Sequence, residues 1–152
     1  MRSRKTTACI ADLVDNMTTA TGGCLCGAIR YEFDRDKVIS SGNCHCTDCQ
    51  KATGGGKATI LFIPTNELSL SGEYKAYTVV GSDGSHVSRG FCPECGSPVI
   101  SYTAEQPEIK FIKAGSLDDP SSVSPEASYW ETSAHAWDPV STGIPSFPQN
   151  PG

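Results

Sequence analysis

The sequence lacks three features: a long apolar run, an evident signal peptide and an excess of positive charge. No stretch of about 18 or more apolar residues occurs, so no transmembrane helix is expected. Residues 1–17 begin with basic residues, but Asp12 interrupts their apolar run and no clear cleavage site follows. We therefore expect no signal peptide and a cytoplasmic protein. The formal net charge of −5 argues against nucleic acid as a partner.

Apolar residues make up only 38% of the chain, which also contains 15 Gly and 10 Pro. This composition favours short strands and turns over long helices. Turn residues separate seven candidate strands, which we place at 28–33, 58–63, 68–70, 74–80, 86–91, 98–102 and 109–114. A short helix is predicted from Thr47, which would cap it, to the residue before Gly54. We predict an all-β fold, mainly of short antiparallel strands, in one domain at 19–152 after a flexible extension at 1–18.

Eight cysteines are the main chemical signal, and seven of them lie in three short motifs. Without a signal peptide, metal binding or redox chemistry explains them better than disulfides do. Cys92-Pro-Glu-Cys95-Gly96 is typical of a zinc knuckle, whose turn directs two sulfurs to one point. Cys24 and Cys26 would face the same side of a strand and supply two more sulfurs. We therefore predict that Cys24, Cys26, Cys92 and Cys95 form a closed structural zinc site.

The remaining motif contains Cys44, Cys46 and Cys49, which are too few for a closed tetrahedral site. Three protein ligands leave one position for water or substrate, as in catalytic zinc sites. A fourth protein ligand would instead make the site structural, and the candidates are His45, His86, His135 and Asp48. In an extended segment His45 would point away from the metal, so we favour the open site. Cys9 lies outside all three motifs.

Three segments occur in an order that resembles a known family: Gly23-Cys-Leu-Cys-Gly-Ala28, Cys44-His-Cys-Thr-Asp-Cys-Gln-Lys51 and Phe91-Cys-Pro-Glu-Cys-Gly-Ser97. They are similar to the signature of the glutathione-dependent formaldehyde-activating (GFA) enzymes, a family that includes centromere protein V. The segment Ala114-Gly-Ser-Leu-Asp-Asp-Pro120 resembles a further family motif. The resemblance implies a β-tent fold of stacked antiparallel sheets and two zinc ions per chain. It also implies the formation of S-hydroxymethylglutathione from formaldehyde and glutathione, which in reverse is a carbon–sulfur lyase reaction.

We therefore expect a GFA-like, zinc-dependent carbon–sulfur lyase that acts on a small thiol and an aldehyde at Cys44, Cys46 and Cys49. The candidate pocket residues are neighbours of that motif in sequence, namely Asp48, Gln50, Lys51, Gly54, Gly55 and Gly56. Lys51 could pair with a substrate carboxylate. The alternative function is a non-catalytic, zinc-stapled binding module, although the acidic chain does not favour chromatin.

Overall fold

The computed structural model describes residues 18–151. Of the predicted extension, residues 1–17, including Cys9, lie outside the described residues. The described part contains one α-helix, α1 (Thr47–Thr53), and ten strands: β1 (Thr19–Gly23), β2 (Arg30–Asp34), β3 (Ser40–Cys44), β4 (Ala58–Pro64), β5 (Ser69–Ser71), β6 (Lys75–Val80), β7 (His86–Phe91), β8 (Pro98–Thr103), β9 (Ile109–Lys113) and β10 (Ala127–Tyr129). Among these residues, no helix has the length and apolar character needed to cross a membrane.

The strands form two sheets. The large sheet has the order β10-β3-β4-β9-β8-β7-β6, and the small sheet has the order β1-β2-β5. Every pair is antiparallel except β3 and β10, which run parallel. The predicted class, all-β and mainly antiparallel with one short helix, is confirmed.

Alternate residues of β4 divide the molecule into two packing regions, because successive side chains of a strand point to opposite faces. Leu61 and Ile63 belong to the main core, together with residues of the small sheet such as Tyr31 and Phe33. Ile60 belongs to a second apolar cluster, with Phe62 packed against it. One face of the large sheet therefore closes the core, and its other face is left to form a site.

The N-cap of the helix lies one residue earlier than predicted. Cys46, not Thr47, is the N-cap, and its sulfur accepts a hydrogen bond from the backbone N–H of Cys49 at 3.3 Å. Thr47 already has helical geometry and is the first residue of α1. The predicted end is confirmed: Gly54 terminates the helix with a φ of 75°, a conformation that glycine adopts without a Cβ penalty.

The alternation argument placed the C-x-C motif in a strand, and this prediction is wrong. Cys24 and Cys26 occupy the turn between β1 and β2. The N–H of Cys24 donates to the carbonyl of Ile29 at 3.1 Å, and the N–H of Gly27 donates to that of Cys24 at 3.2 Å. The turn folds back so tightly that both sulfurs still reach one point.

Candidate functional site

Two loops bring four cysteines together at one end of the core. Cys24 and Cys26 come from the β1–β2 turn, and Cys92 and Cys95 come from the turn that joins β7 to β8. In the second turn the N–H of Gly96 donates to the carbonyl of Cys92 at 2.8 Å. Gly96 has a φ of 77°, the left-handed conformation expected after a knuckle.

The geometry of this four-cysteine cluster fits a tetrahedral metal ion. Its four sulfurs all lie within 4.8 Å of one another. The Cys24–Cys26 and Cys26–Cys92 sulfur distances are 3.6 and 3.7 Å. A tetrahedron of sulfurs with metal–sulfur bonds of about 2.3 Å has edges of roughly 3.8 Å. A disulfide needs about 2.05 Å, and all four thiols are free. The cluster could therefore hold a metal ion.

Cys44, Cys46 and Cys49 form a second cluster on the other face of the large sheet. Cys44 is the last residue of β3, Cys46 caps α1, and Cys49 lies in the first turn of that helix. Their sulfurs also lie within 4.8 Å of one another. Within residues 18–151, no histidine nitrogen or carboxylate oxygen joins this three-cysteine cluster.

The candidate fourth ligands lie elsewhere. His45 is fully buried, and its ring is not part of the cluster. His86 pairs with Glu105 at 2.7 Å, and the Nε2 atom of His135 lies 3.0 Å from the amide oxygen of Gln50. Burial, followed by the positive charge of Lys57, lowers the pKa of His45. Of the four candidates, none of the three histidines nor Asp48 belongs to the three-cysteine cluster.

The three-cysteine cluster opens on a cavity of about 730 Å³, a volume suited to a small molecule. The large sheet supplies the floor, where Phe62 and Phe111 pack edge to face at a centroid distance of 5.0 Å. The chain from β10 to residue 151, which we call the C-terminal segment, supplies part of the wall through Tyr129 and Trp130. The Nε1–H of Trp130 donates to the side-chain oxygen of Asn150 at 2.9 Å, which joins two parts of that wall.

Two cations border the same cavity. Arg89 of β7 donates from Nη2 to the sulfur of Cys49 at 3.8 Å. Lys113 of β9 is only 7% exposed. Hydrogen bonds with Cys44 and Cys46, followed by the charges of Lys113 and Arg89, lower the pKa of Cys49 far below its ordinary value, against the opposing effect of burial. A negative charge on Cys49 is therefore favoured, whereas hydrogen bonds with Cys46 and Cys49 raise the pKa of Cys44 far above its ordinary value.

A family model described as glutathione-dependent formaldehyde-activating enzyme matches residues 19–133, which is more than half of the chain. The chain belongs to this GFA family. The resemblance carried by the cysteine motifs is thereby confirmed.

Two further comparisons accompany the family match. A protein of Halomonas elongata, provisionally named as a glutathione-dependent formaldehyde-activating enzyme, is 26% identical over 109 residues. The alignment covers 64% of this chain and 64% of that protein, so the chain spans less than two thirds of its relative's length. The crystal structure of a Rhodobacter sphaeroides protein superposes with a TM-score of 0.53 and 18% identity, covering 84% of this chain and 99% of that chain. This second likeness shows the fold.

The structure places the predicted pocket residues of this GFA family member in different surroundings. Asp48 lines the cavity. The Gln50 amide donates to the carbonyls of His45 at 2.8 Å and Ser133 at 2.9 Å. Lys51 and Gly54 are exposed, and Gly56 is buried against Asp138. Gln50, Lys51, Gly54, Gly55 and Gly56 are not among the residues that line the cavity.

The sequence argument missed the two cations. Ile109, Phe111 and Lys113 alternate along β9, so a lysine occupies a position on the same face as two apolar residues. Arg89 has the same relation to Val87 and Phe91 in β7. A charged residue on the same face of a strand as apolar residues was the signal that could have identified these cations, since buried lysines and arginines usually have a partner.

Proposed function

We propose that this chain is a zinc-dependent carbon–sulfur lyase. It would form or cleave the adduct between a small thiol, such as glutathione, and an aldehyde, such as formaldehyde. The observation that carries the proposal is the different number of sulfurs in the two cysteine clusters. Four sulfurs complete the coordination of a tetrahedral ion, and three do not. Membership of the GFA family and the name of the Halomonas elongata relative support these substrates.

We assign one zinc ion to each cluster. Thiolate donors select zinc among the common divalent ions, and the sulfur distances of the four-cysteine cluster fit its bond lengths. Cys24, Cys26, Cys92 and Cys95 would hold the structural ion, and Cys44, Cys46 and Cys49 would hold the ion that faces the cavity. When bound with three protein ligands, zinc lowers the pKa of a thiol and can polarise an oxygen as a Lewis acid.

The side chains of the cavity would bind and orient the two substrates. Phe62 and Phe111 provide an apolar floor that excludes water beside the sulfurs. Arg89 and Lys113 place positive charge where the thiol sulfur would develop negative charge. The sulfur forms a bond to the carbonyl carbon, the carbonyl π bond breaks, and the thiol proton ends on the oxygen. The reverse reaction releases the thiol and the aldehyde.

The test combines zinc analysis with an assay of adduct formation. We expect two zinc ions per chain, and adduct formation from ¹³C-formaldehyde and glutathione faster than in a protein-free mixture, measured by NMR. Cys46→Ser should lose one zinc ion and the activity while retaining the native circular dichroism spectrum. Cys9→Ser is the matched control, because Cys9 lies outside the motifs, and it should retain both ions.

Two outcomes would contradict the proposal. If Cys46→Ser unfolded the protein, the three-cysteine cluster would have a structural role. If the zinc-loaded wild-type protein did not exceed the protein-free rate, the chain would instead be the non-catalytic zinc-stapled module.

A further inference from the structure

Arg89 and Lys113 are cations without carboxylate partners. The ion pairs of residues 18–151 involve Arg30, Lys57 and His86, and neither Arg89 nor Lys113 takes part in one. The ammonium of Lys113 donates to the hydroxyl of Ser101 at 3.1 Å, which is a neutral partner. Burial of an ammonium without a counter-charge is unfavourable, so an anion is needed nearby.

The register of the large sheet fixes both cations on the cavity face. Arg89 lies opposite Ser101 across β7 and β8, and Ser101 lies opposite Phe111 across β8 and β9. Lys113 follows Phe111 by two residues and therefore points to the same face. Three paired strands hold these groups in place, and a ligand entering the cavity meets charges that are already oriented.

Formal charges at the three-cysteine cluster indicate which ligand the centre would favour. Three thiolates around a divalent zinc ion leave one negative charge, and Arg89 with Lys113 supplies two positive ones. One positive charge then remains among these groups. The carboxylates that line the cavity, those of Asp48, Asp83 and Glu105, are exposed, and none of them forms an ion pair with Arg89 or Lys113. A ligand that carries one negative charge would neutralise this charge beside the buried Lys113, whereas a neutral carbonyl oxygen or a thioether would not.

We propose that Arg89 and Lys113 are positioning residues that select an ionised sulfur as the ligand beside Cys44, Cys46 and Cys49. The thiol substrate then occupies this position, and the aldehyde approaches it from the cavity. The inference rests on the proposed function and adds two things to it: the charge state of the ligand and the side chains that select that state. The alternative is a purely structural role, in which the two cations only neutralise the cysteine thiolates.

The experiment compares a thiol with its matched thioether. Glutathione and S-methylglutathione are titrated into the zinc-loaded full chain by calorimetry, with two zinc ions per chain verified in every variant. Arg89→Met and Lys113→Met should each weaken glutathione binding about tenfold, the loss typical of one charge-assisted contact. S-methylglutathione binding should not change. Arg89→Lys and Lys113→Arg should restore most of the preference for the thiol.

Lys110→Met is the matched control, because Lys110 belongs to the same strand as Lys113 but lies 4.2 Å over the ring of Tyr102. It should change neither affinity. Cobalt-substituted protein gives a second readout, since thiolate binding adds a charge-transfer band that a thioether lacks. That band should weaken in both methionine variants. Arg89 is only half-buried, so Arg89→Met provides the test even if Lys113→Met disturbs folding.

The inference is overturned if both methionine variants bind glutathione as the wild type does, or if the two ligands lose affinity in parallel. Its failure can be distinguished from that of the proposed function. If the wild-type protein formed the adduct but the two methionine variants kept its affinity for glutathione, only the inference would be refuted. Selective loss of thiol binding in a protein with no turnover would refute the lyase reaction alone.

Discussion

The sulfur atoms of Cys26 and Cys92 lie 3.7 Å apart, although 66 positions separate the two residues in the chain. One belongs to a turn of the small sheet and the other to a turn of the large sheet. The four-cysteine cluster therefore joins the two sheets at one end of the core. This connection gives the first prediction.

Loss of the zinc ion that we propose for the four-cysteine cluster should destabilise the whole fold. For Cys92→Ala we expect the free energy of unfolding to fall by at least about 4 kcal/mol, because metal binding and folding are coupled. Thermal unfolding followed by circular dichroism, with zinc analysis of the same samples, measures the effect. Cys9→Ala is the control and should leave the melting temperature unchanged. A Cys92→Ala protein with wild-type stability would show that this cluster does not support the fold.

Two adjacent glycines should respond in opposite ways to alanine. A Cβ at Gly56 would collide with the Asp138 side chain and lie 2.6 Å from its Oδ2 atom. That carboxylate pairs with Lys57 at 2.5 Å. Gly56→Ala should therefore cost about 1–3 kcal/mol in urea denaturation, as overpacking usually does.

Gly55→Ala is the comparison, because a Cβ there would come no closer than 3.7 Å to another atom. Its stability should be unchanged or higher by up to about 1 kcal/mol, since alanine restricts the unfolded chain. Equal losses at both positions would contradict the packing described around Asp138.

Gln50 should contribute to stability through its hydrogen bonds. Its amide joins α1 to Ser133 and His135 of the C-terminal segment. Gln50→Leu should lower the free energy of unfolding by about 1–3 kcal/mol, because it leaves part-buried polar groups without partners. Lys51→Ala, an exposed change in the same helix, should stay within about 0.5 kcal/mol. Chemical denaturation compares the two variants, and similar losses would argue against this role of Gln50.

Asp118 should titrate at unusually low pH. Its carboxylate pairs with Arg30, including a 3.0 Å hydrogen bond, and accepts another from Thr21 at 2.7 Å. These contacts, with Arg30 first, lower the pKa of Asp118 to about 2. A lowered pKa in the folded state means that the stabilisation is present above the unfolded value of about 3.9 and is lost as the pH falls towards 2.

Carboxyl ¹³C NMR of Asp118 measures this pKa directly. Arg30→Met should move the midpoint upward towards the ordinary aspartate value, whereas Lys37→Met should leave it in place. An unshifted midpoint in the Arg30 variant would mean that the ion pair does not persist in solution.

The sequence predicted elements whose pattern is local. The strands β4, β6, β7, β8 and β9 alternate clearly or combine β-branched and aromatic residues, and their predicted positions agree with the structure to within a residue. Strands β1, β3 and β10 were missed because segments such as Thr19–Gly23 and Ser40–Cys44 consist largely of small or polar residues. Pairing with neighbouring strands, rather than intrinsic propensity, determines their conformation.

The same contrast applies to the candidate site. The two cysteine groups could be predicted because the spacing within each motif limits where its sulfurs can point. The cavity could not, because Arg89, Ser101 and Lys113 meet only through the register of three strands. Proximity in sequence to Cys49 was a poor guide: Lys51 follows it by two positions but faces solvent.

The alternation along β4 also has a consequence for protein engineering. Since Leu61 and Ile63 belong to the main core while Ile60 and Phe62 face the cavity side, neighbouring positions are under different constraints. A mutant library confined to Phe62, Phe111 and Tyr129 could change which ligands the cavity accepts without altering the packing between the two sheets. The division of one strand into two faces makes ligand preference and folding separately evolvable.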